Sequence, residues 1–186
     1  MKRLVDLILL FIAAFLILVL FVLIWLAVRV TSKGPALYWS DRVGRGNIIF
    51  RMPKFRSMRL GTPAVATHLL SDPKAYLTPI GSFLRKSSLD ELPQLWSILK
   101  GDMSFVGPRP ALFNQYQLIK LRTELNIDQL LPGLTGWAQV NGRDELTIPE
   151  KVALDLEYMR HQSLYFDLYI IWLTTLKIIS RDNISH

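Results

Sequence analysis

Two neighbouring carboxylates, Asp90 and Glu91, precede a proline in the stretch Ser88-Leu89-Asp90-Glu91-Leu92-Pro93-Gln94. Proline costs about 3 kcal/mol inside a helix but is tolerated in the first turn, so a helix is predicted to start near Pro93. A helix N-terminus stabilises negative charge and attracts phosphate groups. An ionised carboxylate there could attack phosphorus to give an acyl phosphate, and paired carboxylates could bind Mg²⁺. Asp90 and Glu91 are therefore candidates for phosphoryl chemistry.

The same stretch also allows a purely structural interpretation. Ser88 and Glu91 match the S-x-x-E capping box, in which the two side chains only satisfy backbone donors. Residue types and spacing alone favour neither interpretation over the other.

Basic side chains that could receive a diphosphate occur at three places. Lys54 and Arg56 project to one side if this stretch is extended, because strand side chains alternate. Arg109 lies between two prolines that restrict its backbone, and a rigid guanidinium can grip phosphate oxygens. Arg143 follows the glycine-punctuated stretch 132–142, which could bring backbone N–H groups close to a ligand or form two tight turns. Solvated or lipid-facing charge is the alternative for Lys54 and Arg56.

The composition argues against several other kinds of site. The 186 residues include no cysteine, which rules out disulfides and thiolate metal sites. The three histidines lack metal-ligand spacing, and no residues suggest a Ser-His-Asp triad. A net charge of +7 favours an anionic partner such as lipid headgroups, phosphates or nucleic acid. Nucleic acid is disfavoured because the aromatic residues are not interleaved with the basic ones.

An uninterrupted apolar run extends from Leu7 to Val28. As a helix it would reach roughly 33 Å, against a hydrocarbon core of about 30 Å. The run is longer than the apolar region of a signal peptide and has no polar face for lying flat at an interface. We therefore predict a membrane-embedded helix in residues 1–31, re-entrant or spanning. The excess of basic residues after the run places residues 32–186 in the cytoplasm.

The remaining chain predicts a small α+β domain, mainly helical. Ile48–Met52 has the composition of a short strand, and residues 111–125 repeat apolar side chains at helical spacing. Thr147 and Glu150 match a capping box at the start of another helix. The apolar and aromatic segment Leu164–Ile179 either packs in the core or docks at a membrane interface.

These motifs together resemble the bacterial sugar transferase family, the monotopic phosphoglycosyl transferases that start glycan assembly on undecaprenyl phosphate. The resemblance spans nearly the whole chain. It rests on Lys2-Arg3 with Asp6, Ser32-Lys33-Gly34-Pro35, Arg42-Val43-Gly44, Lys54-Phe55-Arg56-Ser57-Met58, Ser88 to Gln94, Gly101-Asp102-Met103-Ser104, Gly107-Pro108-Arg109-Pro110 and Pro132-Gly133-Leu134-Thr135-Gly136. The family usually breaks its membrane helix with a Ser-Pro pair, whereas this chain has Leu18 and Val19 there, which favours a straight span.

The resemblance implies that Asp90 is the nucleophile, that Glu91 is its partner carboxylate and that Mg²⁺ assists both. A UDP-sugar would give its sugar phosphate to Asp90 with release of UMP, and polyprenyl phosphate would then accept it, as the first membrane step of glycan or exopolysaccharide assembly. Lys54, Arg56 and Arg109 would stabilise charge on the phosphoryl oxygens. The implied location is the bacterial cytoplasmic membrane, with the catalytic domain on its cytoplasmic face. The sugar and a homo-oligomeric state stay open.

Two other functions compete with this one. A metal-dependent glycosyltransferase would release UDP and usually carries a D-x-D motif, whose nearest match is Asp155-Leu156-Glu157 on a predicted helix. A non-enzymatic membrane adaptor would bind anionic lipid through its basic face and use Asp90 and Glu91 only for helix capping. The adaptor predicts lipid binding without Mg²⁺-dependent turnover.

Overall fold

The computed structural model describes residues 2–63, 65, 70–142 and 145–180. Within this part of the chain, α-helices predominate and are joined by short strands, which confirms the predicted mixed, mainly helical fold. The helices are α1 (Lys2–Thr31), α2 (Gly81–Lys86), α3 (Leu95–Lys100), α4 (Tyr116–Glu124), α5 (Trp137–Val140), α6 (Ile148–His161) and α7 (Leu164–Ser180). The strands are β1 (Leu37–Val43), β2 (Ile49–Phe55), β3 (Ser104–Val106) and β4 (Gly133–Thr135).

The apolar run folds as the long helix α1, because no glycine or proline interrupts it before Gly34. In the described part of the chain, no helix has both the length and the apolarity needed to cross a membrane, so the predicted membrane-embedded helix is not confirmed. The first turns of α1 are attached to the domain by polar contacts. Lys2 pairs with Asp167 of α7, and the Asp6 carboxylate accepts hydrogen bonds from Ser104 Oγ at 3.0 Å and Phe105 N at 3.2 Å.

β1 and β2 form an antiparallel hairpin whose turn is the 3₁₀ segment Arg45–Asn47. Gly46 has φ +62°, a left-handed conformation that favours glycine. The strand predicted at 48–52 is confirmed as β2, which runs from Ile49 to Phe55. Lys54 pairs with Tyr38, and this register places Lys54 on the same face as Arg42 because side chains alternate along each strand.

β3 and β4 pair in parallel, and glycine is required where they meet. A Cβ at Gly133 would lie 2.1 Å from Gly107 N, so the two backbones could not approach as they do with any larger residue. Gly133 N donates to Pro108 O at 2.9 Å, and Gly107 N donates to Thr135 O at 2.9 Å. The glycines of the stretch 132–136 thus serve contact between two backbones.

The core is divided into several small clusters around these elements. Leu118 of α4 and Val152 of α6 share one cluster, whereas Tyr116, which the helical spacing predicts on the apolar face of α4, is exposed. α4 starts at Tyr116, later than the predicted 111, because Gln115 Oε1 accepts a hydrogen bond from Leu112 N and closes a turn there. α7 buries Ile170 but leaves Trp172 exposed, so one face packs and the other is open.

The predicted capping box at the start of α6 is confirmed, since Thr147 Oγ1 accepts from Glu150 N and Glu150 Oε2 accepts from Thr147 N. We expect Thr147→Ala to lower the free energy of unfolding by about 1 kcal/mol, because a backbone donor loses its partner. Chemical denaturation at neutral pH measures this loss.

The matched control is Thr175→Ala on α7, whose exposed hydroxyl only bonds back to Ile171 O. Equal stability of the two variants would contradict a role for the cap. Hydrogen bonds from Thr147 also lower the pKa of Glu150 below its ordinary 4.5. The contribution of this carboxylate is present above its unfolded pKa and is lost as pH falls through the folded value, so the effect of Thr147→Ala should shrink in acid.

Candidate active site

Asp90 and Glu91 lie in a 3₁₀ helix, Leu89–Gln94, that continues directly into α3. The sequence placed both carboxylates before a helix starting near Pro93, whereas they belong to the first turn of the 3₁₀ segment. The segment starts earlier because Ser88 adopts a left-handed conformation, φ +56°, which turns the chain sharply after α2. Both acidic residues are only 8% exposed, packed beside β2.

The capping-box interpretation of Ser88 and Glu91 is wrong. The Ser88 side chain makes no capping hydrogen bond, and its backbone carbonyl accepts from Glu91 N at 3.1 Å instead. The Glu91 side chain points toward two cations rather than back to Ser88. Helix capping therefore does not explain this acidic pair.

Two cations from distant parts of the chain meet at one oxygen of Glu91. Lys54 Nζ donates to Glu91 Oε1 at 3.0 Å, and Arg109 Nη2 donates to the same oxygen at 2.6 Å. Burial lowers the pKa of Lys54, while the negative charge of Glu91 opposes that effect. Charge-assisted hydrogen bonds of this kind are about twice as strong as neutral ones, so Glu91 holds both cations in place.

Asp90 has charged neighbours but no hydrogen-bonded partner among the described residues. Burial raises the pKa of Asp90, and the positive charge of Lys54 works against this rise. The carboxylate oxygens therefore keep lone pairs that no donor in residues 2–63, 65, 70–142 and 145–180 occupies. A carboxylate in this condition, next to fixed cations, is suited to attack an electrophile such as phosphorus.

Asp90 and Glu91 line an open cavity of about 480 Å³. Its walls contain an excess of basic side chains: Arg42, Lys54, Arg56, Arg59, Arg85, Arg109, Arg122 and Lys151. Glu145 is the one further acidic residue among the lining residues described. Fixed positive charge in a partly enclosed site raises the local concentration of anions, so the cavity suits a phosphate-bearing ligand.

Arg42 is a functional candidate that the sequence reasoning missed. Its Nε donates to Ser40 Oγ at 3.0 Å, and its Nη1 donates to Pro110 O at 3.1 Å. Burial, and then the nearby charge of Arg109, lower the pKa of Arg42 to about 10. No local sequence pattern identified it, because its place depends on the hairpin register, which puts Arg42 and Lys54 on one face.

The predicted phosphate-binding residues do not all meet at the carboxylates. Lys54 and Arg109 contact Glu91, whereas the Arg56 guanidinium turns to the end of α1 and donates to Ser32 O at 3.1 Å and Ser32 Oγ at 2.7 Å. A cation there complements the exposed carbonyls of a helix C-terminus. Arg143 lies outside the described residues. The phosphate-binding roles of Arg56 and Arg143 stay predictions.

The predicted Mg²⁺ can be tested against the donors that the site offers. No cluster of three or more Asp, Glu, His or Cys side chains suited to a metal occurs among the described residues. Mg²⁺, however, commonly binds through one or two carboxylates and takes water and substrate phosphate oxygens as its other ligands. The unoccupied lone pairs of Asp90, next to Glu91, fit an ion shared with a substrate phosphate. The Mg²⁺ requirement itself stays a prediction.

The D-x-D alternative does not fit the geometry of α6. Asp155 is buried, and its Oδ2 accepts hydrogen bonds from Arg122 Nε at 2.9 Å and Nη2 at 2.6 Å. Glu157 is exposed, and residues two apart on a helix face different directions. Asp155 and Glu157 therefore cannot ligate one metal ion together.

Comparison with known proteins identifies the family. A family model described as bacterial sugar transferase matches residues 1–181. The chain belongs to the bacterial sugar transferase family. This match confirms the resemblance that the sequence motifs indicated, over nearly the whole chain.

Several relatives of this chain have names that state an activity or a process. The UDP-glucose:undecaprenyl-phosphate glucose-1-phosphate transferase of Escherichia coli (strain K12) is 39% identical, over 95% of this chain and 40% of that protein. The undecaprenyl-phosphate galactose phosphotransferase of Salmonella typhimurium is 38% identical, over 86% of this chain and 37% of that protein. The exopolysaccharide production protein ExoY of Sinorhizobium fredii is 35% identical, over 93% of this chain and 83% of that protein. The chain spans about two fifths of the length of the first two.

Proposed function

We propose that this chain transfers a sugar 1-phosphate from a UDP-sugar to polyprenyl phosphate and releases UMP, as the first membrane step of glycan or exopolysaccharide assembly. The observation that carries this proposal is the Asp90 carboxylate, without a described hydrogen-bond donor, beside Glu91 and its two cations. The names of relatives that act on undecaprenyl phosphate with glucose or galactose support the substrate class. The sugar itself stays open.

In the first step, a carboxylate oxygen of Asp90 attacks the phosphorus that carries the sugar. A bond forms between Asp90 and this phosphorus, and the bond from phosphorus to the bridging oxygen of the diphosphate breaks. UMP leaves with the bridging oxygen and the electron pair of the broken bond. An acyl phosphate that still bears the sugar remains on Asp90.

In the second step, a phosphate oxygen of the polyprenyl carrier attacks the same phosphorus and displaces the Asp90 carboxylate. The product is a lipid diphosphate sugar, and Asp90 returns to its ionised form. We expect Lys54, Arg109 and Arg42, which line the same cavity as Asp90, to offset negative charge on the phosphoryl oxygens during both steps. In this proposal Asp90 and Glu91 would also hold Mg²⁺, which would supply further positive charge to the reaction.

We also propose that the chain works at the cytoplasmic face of the bacterial cytoplasmic membrane. The acceptor is a lipid, and exposed apolar side chains recur on α1 and α7, where a purely aqueous surface would disfavour them. They include Leu18, Val19, Val22, Leu23, Leu26 and Val30 on α1, and Leu168, Trp172 and Leu176 on α7. The net charge of +7 also suits the anionic cytoplasmic leaflet.

The test of this function is to identify the nucleotide product. The chain, in detergent with undecaprenyl phosphate and Mg²⁺, is incubated with UDP-glucose or UDP-galactose. We expect UMP and the lipid diphosphate sugar to form in equal amounts. Release of UDP would instead indicate a transferase that moves the sugar alone, and lipid binding without turnover of a wider panel of UDP-sugars would favour the adaptor.

A further inference from the structure

The segment Pro108-Arg109-Pro110 positions the Arg109 guanidinium at Glu91, and it is fixed through its backbone carbonyls. Two of its three residues are prolines without a backbone N–H, so the segment has few donors with which to fix itself. Its three carbonyls are each bound by a different element instead. Pro108 O accepts from Gly133 N at 2.9 Å, Arg109 O from Arg122 Nη1 at 2.8 Å and Pro110 O from Arg42 Nη1 at 3.1 Å.

Arg122 is the member of this set that belongs to α4, and it is itself fixed by Asp155 of α6. Its Nε and Nη2 both donate to Asp155 Oδ2, at 2.9 and 2.6 Å, while Nη1 is directed to Arg109 O. The side chain of Asp155 is 2% exposed, and that of Arg122 is 11% exposed. The planar guanidinium therefore bridges two helices and the loop in one rigid arrangement.

We propose that Arg122, held by Asp155, is a positioning residue that sets where the Arg109 guanidinium meets the diphosphate of the substrate. This inference rests on the function proposed above for the same cavity. The hydrogen bond from Arg122 to the backbone carbonyl of Arg109 limits how far the Arg109 side chain can shift relative to Glu91. Misplacement of a binding group by about 1 Å can cost on the order of 10²-fold in rate, so such a constraint has a measurable effect.

Two simpler roles compete with positioning. Arg122 also lines the cavity and could touch the ligand itself. Alternatively, its pair with Asp155 could only join α4 to α6, because breaking a buried ion pair is destabilising in its own right. Both alternatives predict that Arg122 acts independently of Arg109, whereas positioning predicts that its effect on binding disappears once the Arg109 side chain is gone.

The test is a double-mutant cycle on the affinity for UDP, measured by calorimetry with the full chain. We expect Arg122→Lys, which keeps the charge but not the fork of donors, to weaken UDP binding about 5- to 20-fold in the wild-type background. In the Arg109→Ala background the same change should cost less than about 2-fold. Asp155→Asn serves as a second variant and should show the same dependence on Arg109.

The matched control is Lys120→Met, which removes the exposed pair of Lys120 with Glu124 on the same helix without touching Arg109. It should leave UDP affinity within about 2-fold of wild type. Unfolding temperatures are measured in parallel, so that every affinity refers to folded protein. Equal weakening by Arg122→Lys in both backgrounds would overturn the inference.

The inference and the proposed function can fail separately. If UDP binding shows the expected dependence on Arg109 but no UDP-sugar is turned over, the function is wrong and the positioning role stands. If the wild type binds neither UDP nor inorganic pyrophosphate, Arg109 is not an anion-binding group and the inference is overturned.

Discussion

Asp90→Asn should lower sugar-phosphate transfer by about 10³-fold or more, with UMP release falling to the same extent. An amide has almost the same shape as the carboxylate but is a poor nucleophile, so the acyl phosphate cannot form. The fold should be retained. Burial raises the pKa of Asp90, which means that the charged carboxylate is costly to bury, and the neutral amide of asparagine avoids this cost. The measurement is initial UMP release, together with the unfolding temperature of each protein.

Asp102→Asn is the matched control for this change. Asp102 is also a carboxylate near α3, but it pairs with Lys100 at 2.8 Å and is not among the residues lining the cavity. Its replacement should change transfer by less than about 3-fold, as for surface pairs in general. Transfer by Asp90→Asn above a tenth of the wild-type rate would exclude Asp90 as the nucleophile.

Glu91→Gln has the second largest expected effect. We expect this change to slow sugar-phosphate transfer but to strengthen UDP binding in the absence of Mg²⁺. The change removes the negative charge that faces Lys54 and Arg109. We expect transfer to fall on the order of 10²-fold, because the two cations are no longer fixed and a proposed ligand of Mg²⁺ is lost. Without Mg²⁺, however, UDP should bind more tightly than to wild type, since the cavity gains net positive charge.

Glu124→Gln provides the control, because Glu124 is an exposed carboxylate paired only weakly with Lys120, at 3.9 Å. Neither transfer nor UDP affinity should change by more than about 2-fold in this variant. The measurements are steady-state transfer with Mg²⁺ and calorimetric titration of UDP with EDTA present. Weaker UDP binding by Glu91→Gln under these metal-free conditions would contradict the role of Glu91 as a counter-charge in the cavity.

Local features of the site could be predicted from sequence where they depend on neighbouring residues. The proline at position 93 predicted a helix next to Asp90 and Glu91, although the helical segment starts earlier, at Leu89. Thr147 and Glu150 predicted the start of α6 for the same reason, since both partners of a capping box lie within four residues. The mixed, mainly helical fold also followed from the short apolar patterns along the chain.

Features that depend on contacts between distant residues could not be predicted in the same way. Arg42 reaches the site because the register of a hairpin brings it beside Lys54, and Arg122 because two helices pack together. Arg56 was placed with Lys54 by strand alternation, yet its guanidinium binds the end of α1, a contact that no local pattern encodes. Ser88 matched a capping motif but adopts a left-handed conformation that prevents it from capping.

The central claim is that Asp90 becomes covalently bonded to phosphorus, and intact mass spectrometry tests it most directly. The protein is mixed with a UDP-sugar that it turns over, without polyprenyl phosphate, and quenched in acid. We predict a mass increase of one sugar phosphate, located by peptide mapping at Asp90, absent from Asp90→Asn and removed when polyprenyl phosphate is added. UMP release with an unchanged protein mass, or the sugar phosphate on another residue, would contradict the account.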